Sequence, residues 1–242
     1  MLKIIMMLNT GTLINKTLSL LNTYSDQYRK GLSEWYFPTS MKVIGLKSED
    51  LKKVIKIIRN DIAGEDSGQI IRLCKEMALA GIFEVQQVAF GLLNKKYRII
   101  EQLELNDVLV LATYMDNWAS TDSFGTQVSG PAWRLGCISD DDVKKWASSA
   151  DRWWRRIALV STVALNLKSQ KGEGDTGRTL MICEMLLGDR DDMVIKALSW
   201  ALRELSKRYP GETAEFIESH KDVLAGRVIR EVTRKLLTGR KN

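Results

Sequence analysis

The sequence predicts an all-α chain of stacked helical hairpins. Apolar residues follow the helical period nearly everywhere, and no alternating strand pattern competes with it. Proline, which helix interiors exclude, occurs only at Pro38, Pro131 and Pro210. The links between helical segments are short, as stacked hairpins require.

In order along the chain, Ser48-Glu49-Asp50-Leu51 opens a helix with a capping serine and first-turn acids. Leu51, Val54, Ile55, Ile57 and Ile58 give that helix its apolar side. The next starts at Ser67 and ends at Gly81. Further helices are expected over residues 83–98, 104–116, 120–135, 139–149, 151–167, 176–187, 191–208, 211–219 and 222–237. The run Asn117–Gly125 also reads as helix. A weak repeat joins Gln87-Val88-Ala89-Phe90, Arg156-Ile157-Ala158-Leu159 and Lys196-Ala197-Leu198; the last two lie 40 residues apart and the first two 69, about two units. Such a period matches helical hairpins of the HEAT or armadillo kind. Stacked hairpins curve, so a HEAT-like solenoid with a concave basic face is expected. No Gly-, Ser- or Pro-rich linker divides the chain, and residues 1–242 are read as one repeat domain.

The net charge of +6 is unevenly placed. Lys221, Arg227, Arg230, Arg234, Lys235, Arg240 and Lys241 face only Asp222 and Glu231 in the last stretch. A basic helix of this kind attracts polyanions, nucleic acid first, or is simply a solvated face. Cys74, Cys137 and Cys183 are odd in number and lack a C-x-x-C pair, which suits reduced thiols in a cytosolic protein and gives no zinc signature. The apolar run Ile4-Ile5-Met6-Met7-Leu8 is too short for a signal-peptide core, and Met6 and Met7 are alternative starts. No stretch approaches the roughly 20 apolar residues of a membrane span.

Several motifs have ordinary readings. Gly172-Glu173-Gly174-Asp175-Thr176-Gly177 matches G-x-G-x-x-G but follows a helix, so it reads as a loop with Asp175 or Thr176 capping the next helix. Asp140-Asp141-Asp142 reads as a helix start rather than a metal site. His220 is the only histidine and has no nucleophile partner, so hydrolysis by a serine or cysteine triad is poorly supported. Trp35, Trp133 and Trp146 fall on apolar faces and are expected in the core.

Trp118 and Asp122 stand four apart, on one helical face. A carboxylate beside an indole suits stabilisation of a developing cation. Trp200 sits between Lys196 and Arg203, while Arg155 and Arg156 follow two tryptophans, as phosphate contacts or as solvated surface.

Together these pieces resemble the AlkD-type DNA glycosylases, HEAT-repeat proteins that remove alkylated purines. The similarity runs over roughly residues 30–238. Met41–Ser48 resembles that family's early helix-to-helix turn, Trp118 and Asp122 its W-x-x-x-D signature, and Arg156 its arginine after an aromatic residue. Trp200 within Lys196–Glu204 resembles its later tryptophan, and Arg230-Glu231 with Arg234 its C-terminal basic helix. Many members carry a second tryptophan before the first and an aspartate after it; here those positions are Asn117 and Ala119.

The resemblance implies catalysis by Asp122, Trp118 and Trp200, with DNA contacts from Arg156, Arg155, Lys47, Ser48, Lys196, Arg203, Arg230 and Arg234. It implies a cytoplasmic monomer, nucleoid-associated in a prokaryote, acting on alkylated double-stranded DNA without cofactor or metal. A purine alkylated at N3 or N7 is already cationic and leaves as a neutral base, so no general acid is needed. Asp122 would then stabilise the oxocarbenium-like sugar and hold the attacking water. Trp118 and Trp200 would offer π faces, and Arg156 would grip a phosphate bidentately. Flipping into a tight pocket, common in glycosylases, is not implied. The alternatives are a non-catalytic helical-repeat DNA-binding protein and a scaffold for an acidic protein partner.

Overall fold

A computed structural model describes residues 8–240 of the chain. The start of the apolar run at Ile4 and Lys241 of the basic tail lie outside the described residues. Among these residues the protein is all-helical, and its only extended pairing is an isolated bridge between Lys42 and Ile82. It forms two compact units, Met1–Ser120 and Thr121–Asn242.

The first unit holds α1 (Thr10–Thr23), α2 (Gln27–Tyr36), α3 (Ser48–Asp61), α4 (Ser67–Leu79), α5 (Phe83–Leu93), α6 (Tyr97–Ile100) and α7 (Leu105–Leu111). Helix α8 (Trp118–Phe124) begins in it. Its core is α5, buried from Glu84 to Leu93 and packed against α3 and α4. Two helices, α1 and α2, precede the first one expected. Ser48 is not a cap: it is the first helical residue, after Lys47, and no side chain caps that end. The helix expected over 83–98 breaks at Asn94 and Lys95, whose φ of 63° is left-handed. The one expected over 104–116 stops at Leu111, where Thr113 Oγ1 donates to Val110 O and the Gln86 amide donates to Thr113 O.

Between α2 and α3 the chain turns at Gly45, with φ of +86°. The buried carboxylate of Glu84 accepts from Ile44 N at 2.9 Å and Gly45 N at 2.8 Å. A Cβ at Gly45 would lie 2.4 Å from Lys30 N, so the turn presses directly on the α2 backbone. Gly45→Ala is therefore expected to cost about 1–3 kcal/mol through overpacking alone, read as a lower midpoint of urea unfolding with unchanged slope.

In the second unit, after a π-helical stretch at Gly125–Ser129, come α9 (Gly130–Arg134), α10 (Asp140–Ala147), α11 (Arg152–Asn166), α12 (Thr176–Met185), α13 (Asp192–Leu205), α14 (Pro210–Ser219) and α15 (Gly226–Thr238). The helix expected over 120–135 is thus three consecutive helical stretches beginning at Trp118. Helix α11 is the hub: it is buried from Arg156 to Asn166 and packs on α9, α10, α12 and α13. Trp133 and Trp146 are core, as expected, but Trp35 is not: it is 79% exposed on α2.

The ordinary motif readings hold. Asp175 caps α12 through Arg178 N at 2.9 Å, and Ser139 with Asp142 forms a capping box on α10. His220 ends α14 with its ring 4.5 Å from Phe216. Cys74 and Cys183 are buried, and burial pushes the Cys74 thiol up to about 12. No helix of the described residues is long and apolar enough to cross a membrane.

Candidate functional site

Asn117 directly precedes α8. It is buried, and its Oδ1 accepts from Ser120 N at 2.9 Å while its Nδ2 donates to Ser120 Oγ. An asparagine in this place satisfies a backbone N–H that a helix N-terminus otherwise leaves open. Its neighbour Asp116 accepts from Thr39 Oγ1 at 2.6 Å and Ser40 N at 2.5 Å. Burial raises the Asp116 carboxyl, but the hydrogen bonds from Ser40, Thr39 and Asn117 outweigh it and hold the group below its usual value. Asp116 is a clamp on the 38–41 turn.

Trp118 belongs to an aromatic cluster of the first unit. Its Nε1 donates to Tyr36 O at 3.1 Å, and its ring stands edge-on to Tyr36 at 5.0 Å and to Phe37 at 6.2 Å. Phe37 in turn packs on Phe83 at 4.5 Å. The indole is half-buried. Lys47 and Ser48, expected at DNA, are exposed at the start of α3.

In the second unit, the stretch after α8 is drawn tightly onto α11. Ser129 Oγ and Ser161 Oγ are 2.7 Å apart, and a Cβ at Gly130 would come within 2.5 Å of the Ala164 Cβ. That close approach sets Asp122 against Arg156. Arg156 Nε donates to Asp122 Oδ1 at 2.9 Å and Nη2 donates to Oδ2 at 2.8 Å, the parallel fork geometry of a strong charge-assisted pair. Nη1 donates to the backbone oxygen of Met193 on α13. The Arg156 side chain is only 6% exposed, whereas Asp122 keeps 21%. Burial raises the Asp122 carboxyl above its ordinary value, and the Arg156 guanidinium opposes that rise.

Three arginines expected at DNA have their side chains engaged within the protein. Arg156 offers no open fork to a phosphate, because the fork closes on Asp122. Arg155 donates from Nε to Asp189 at 2.7 Å and from Nη1 to Ser149 O and Ala150 O, so it ties two loops together. Arg203 is buried and bonded to Glu231 and Ser199. The helical spacing from Trp200 did not reveal that Arg203 meets α15 rather than solvent.

Trp200 is half-buried on α13. Lys196, one turn earlier, is exposed and pairs with Asp192 at 2.6 Å; Arg227 of α15 shares the same carboxylate at 2.8 Å. Arg230 and Arg234 are exposed on α15, as a basic helix face requires. Sequence reasoning missed Tyr36, Phe37 and Glu231. The aromatic run Trp35-Tyr36-Phe37 was the available signal for the first two.

No curated protein matches the chain. The family model of the DNA alkylation repair enzymes matches residues 17–236, taking in part of α1 and the start of α2, which the resemblance drawn from about residue 30 left out; the chain belongs to the DNA alkylation repair enzyme family.

Proposed function

We propose that the protein is a DNA glycosylase that releases N3- and N7-alkylated, cationic purines from double-stranded DNA. The observation that carries this reading is Asp122: a carboxylate with both oxygens held by Arg156, still partly open to solvent. A carboxylate so oriented is preorganised for a positive charge that develops in the transition state and needs no reorientation to meet it. The N-glycosidic bond breaks first, the electron pair leaving with the base, which departs neutral because it was cationic. Asp122 stabilises the oxocarbenium-like C1′ and takes up the proton of the water that attacks it. Arg156 acts on Asp122 rather than on DNA. Trp118 and Trp200 present π faces to the cationic sugar, at roughly 0.5–2 kcal/mol each.

In this reading the helices are HEAT-like repeats of one domain, with a concave basic face toward DNA. The protein works as a cytoplasmic monomer, without a tight base pocket. The direct test is to incubate DNA containing 7-methylguanine with the protein and measure free base. Salt-dependent DNA binding with no base release would leave a non-catalytic DNA-binding protein.

The basic face has its own test. Arg230→Gln with Arg234→Gln is expected to weaken DNA binding at every sequence and to flatten its salt dependence. Each lost phosphate contact removes about 0.9 from the logarithmic slope. An unchanged slope would mean that these two side chains lie off the DNA.

A further inference from the structure

Helix α2 is amphipathic, and its aromatic side faces solvent. Tyr28, Leu32 and Trp35 recur at i, i+4 and i+7, and Tyr36 follows Leu32 by four, so all four share one stripe. They are 72%, 38%, 79% and 62% exposed, and no residue of α2 is buried. The cause lies on the other side of the helix. Asp26 N donates to Gly45 O at 2.9 Å, and the Gly45 turn presses on the Lys30 backbone. The helix is pinned by its polar side, and its apolar side is left outward. An apolar patch of this kind marks an interaction surface rather than an accident of packing.

We propose that this face of α2 is a stacking platform for unstacked nucleobases of a DNA strand. The inference rests on DNA being the substrate, as proposed above. Three of the four side chains are aromatic, and every nucleobase has a π face, so such a platform binds without regard to sequence. Trp35 and Tyr36 lie within 19° of parallel at 6.3 Å, and Tyr36 meets Trp118 edge-on, so the ring surface is continuous with an indole assigned to the reaction. The surrounding charge has the sign a phosphate backbone requires. Arg29 borders the stripe, and Lys42 and Lys47 are exposed in the turn that follows. The acid of α2, Glu34, is on the opposite side, 3.8 Å from Lys30. The platform would hold bases displaced from the duplex near a lesion.

The test compares the full chain with Trp35→Ala and Trp35→Phe, whose changes are at an exposed position. Binding is measured by fluorescence anisotropy to a labelled oligothymidine, an intact duplex, and the same duplex with a bulge of unpaired thymidines. Trp35→Ala is expected to weaken the oligothymidine and the bulged duplex by about 10-fold and the intact duplex by less than about 2-fold, and Trp35→Phe to keep most of the affinity. Equal loss on all three, no loss on any, or no oligothymidine binding by the unaltered chain would overturn the platform. So would a dimer in sedimentation, or attachment to anionic lipid vesicles, that Trp35→Ala abolishes, because the occupant would then be a second copy or a membrane. The base-release assay separates this inference from the one beneath it. Normal release with no Trp35 effect on binding removes the platform alone; a selective Trp35 effect without release keeps the platform and removes the glycosylase.

Discussion

Asp122→Asn is expected to keep the helical fold and lose base release by about two orders of magnitude or more, the cost of removing a group aimed at transition-state charge. The Arg156 pair makes the change less innocent than its shape suggests. An amide has one acceptor oxygen, so one Arg156 N–H meets an N–H in place of an oxygen. The guanidinium, 6% exposed, loses its counter-charge. Breaking one side of a buried pair costs about 3–5 kcal/mol, and the partial exposure of Asp122 brings the expected loss toward the lower end. The double variant Asp122→Asn with Arg156→Gln separates the two effects. Amide against amide restores complementary hydrogen bonding, so the double should recover stability relative to the single and remain as inactive. Calorimetry reads the first and release of 7-methylguanine the second. Full activity in the single variant would remove Asp122 from the chemistry. Trp118→Ala and Trp200→Ala should each lose less, with some loss of binding to damaged DNA.

The parts of this molecule that were legible in the sequence are those encoded locally. Period and capping gave most helices from Ser48 onward, and the four-residue step from Trp118 to Asp122 is a property of one helix. What was not legible depends on which helices meet. Asp122 and Arg156 are 34 residues apart, and nothing near either residue announces the pair. Arg203 stands three after Trp200 and is expected at DNA from the resemblance; in the fold it meets the carboxylate of Glu231, 28 residues on. Helix α2 went unread for a different reason. Its aromatic stripe has the signature of a core face, and the core expectation for Trp35 followed from it. The contact that reverses the helix is the backbone of a glycine turn, which leaves no side-chain pattern.

The strongest separation between an anchor for phosphate and a holder of Asp122 comes from Arg156→Gln. A phosphate anchor would show itself in binding: weaker affinity for undamaged DNA and a salt slope reduced by about 0.9. A holder of Asp122 predicts neither, and places the loss, expected to be about 10-fold or more, in the rate of base release. The pH dependence gives a second, independent reading. Catalysis needs Asp122 ionised, so activity is present above the folded-state pKa and is lost as the pH falls through it. Burial has already raised that pKa above the ordinary carboxylate value, and Arg156 is the group opposing the rise. Removing the guanidinium must raise it further, so the acid limb of base release should move to higher pH in Arg156→Gln. Stability carries the same sign. A carboxyl whose folded pKa exceeds its unfolded one binds its proton more tightly in the native state. The stability deficit of Arg156→Gln against the unaltered chain should therefore be largest above the raised pKa, where Asp122 is charged and unpaired. It should shrink as the pH falls from the variant's folded pKa to that of the unaltered chain, the unfolded state being common to both. An acid limb that stays in place, together with a reduced salt slope, would return Arg156 to the DNA backbone and leave Asp122 without its positioning partner.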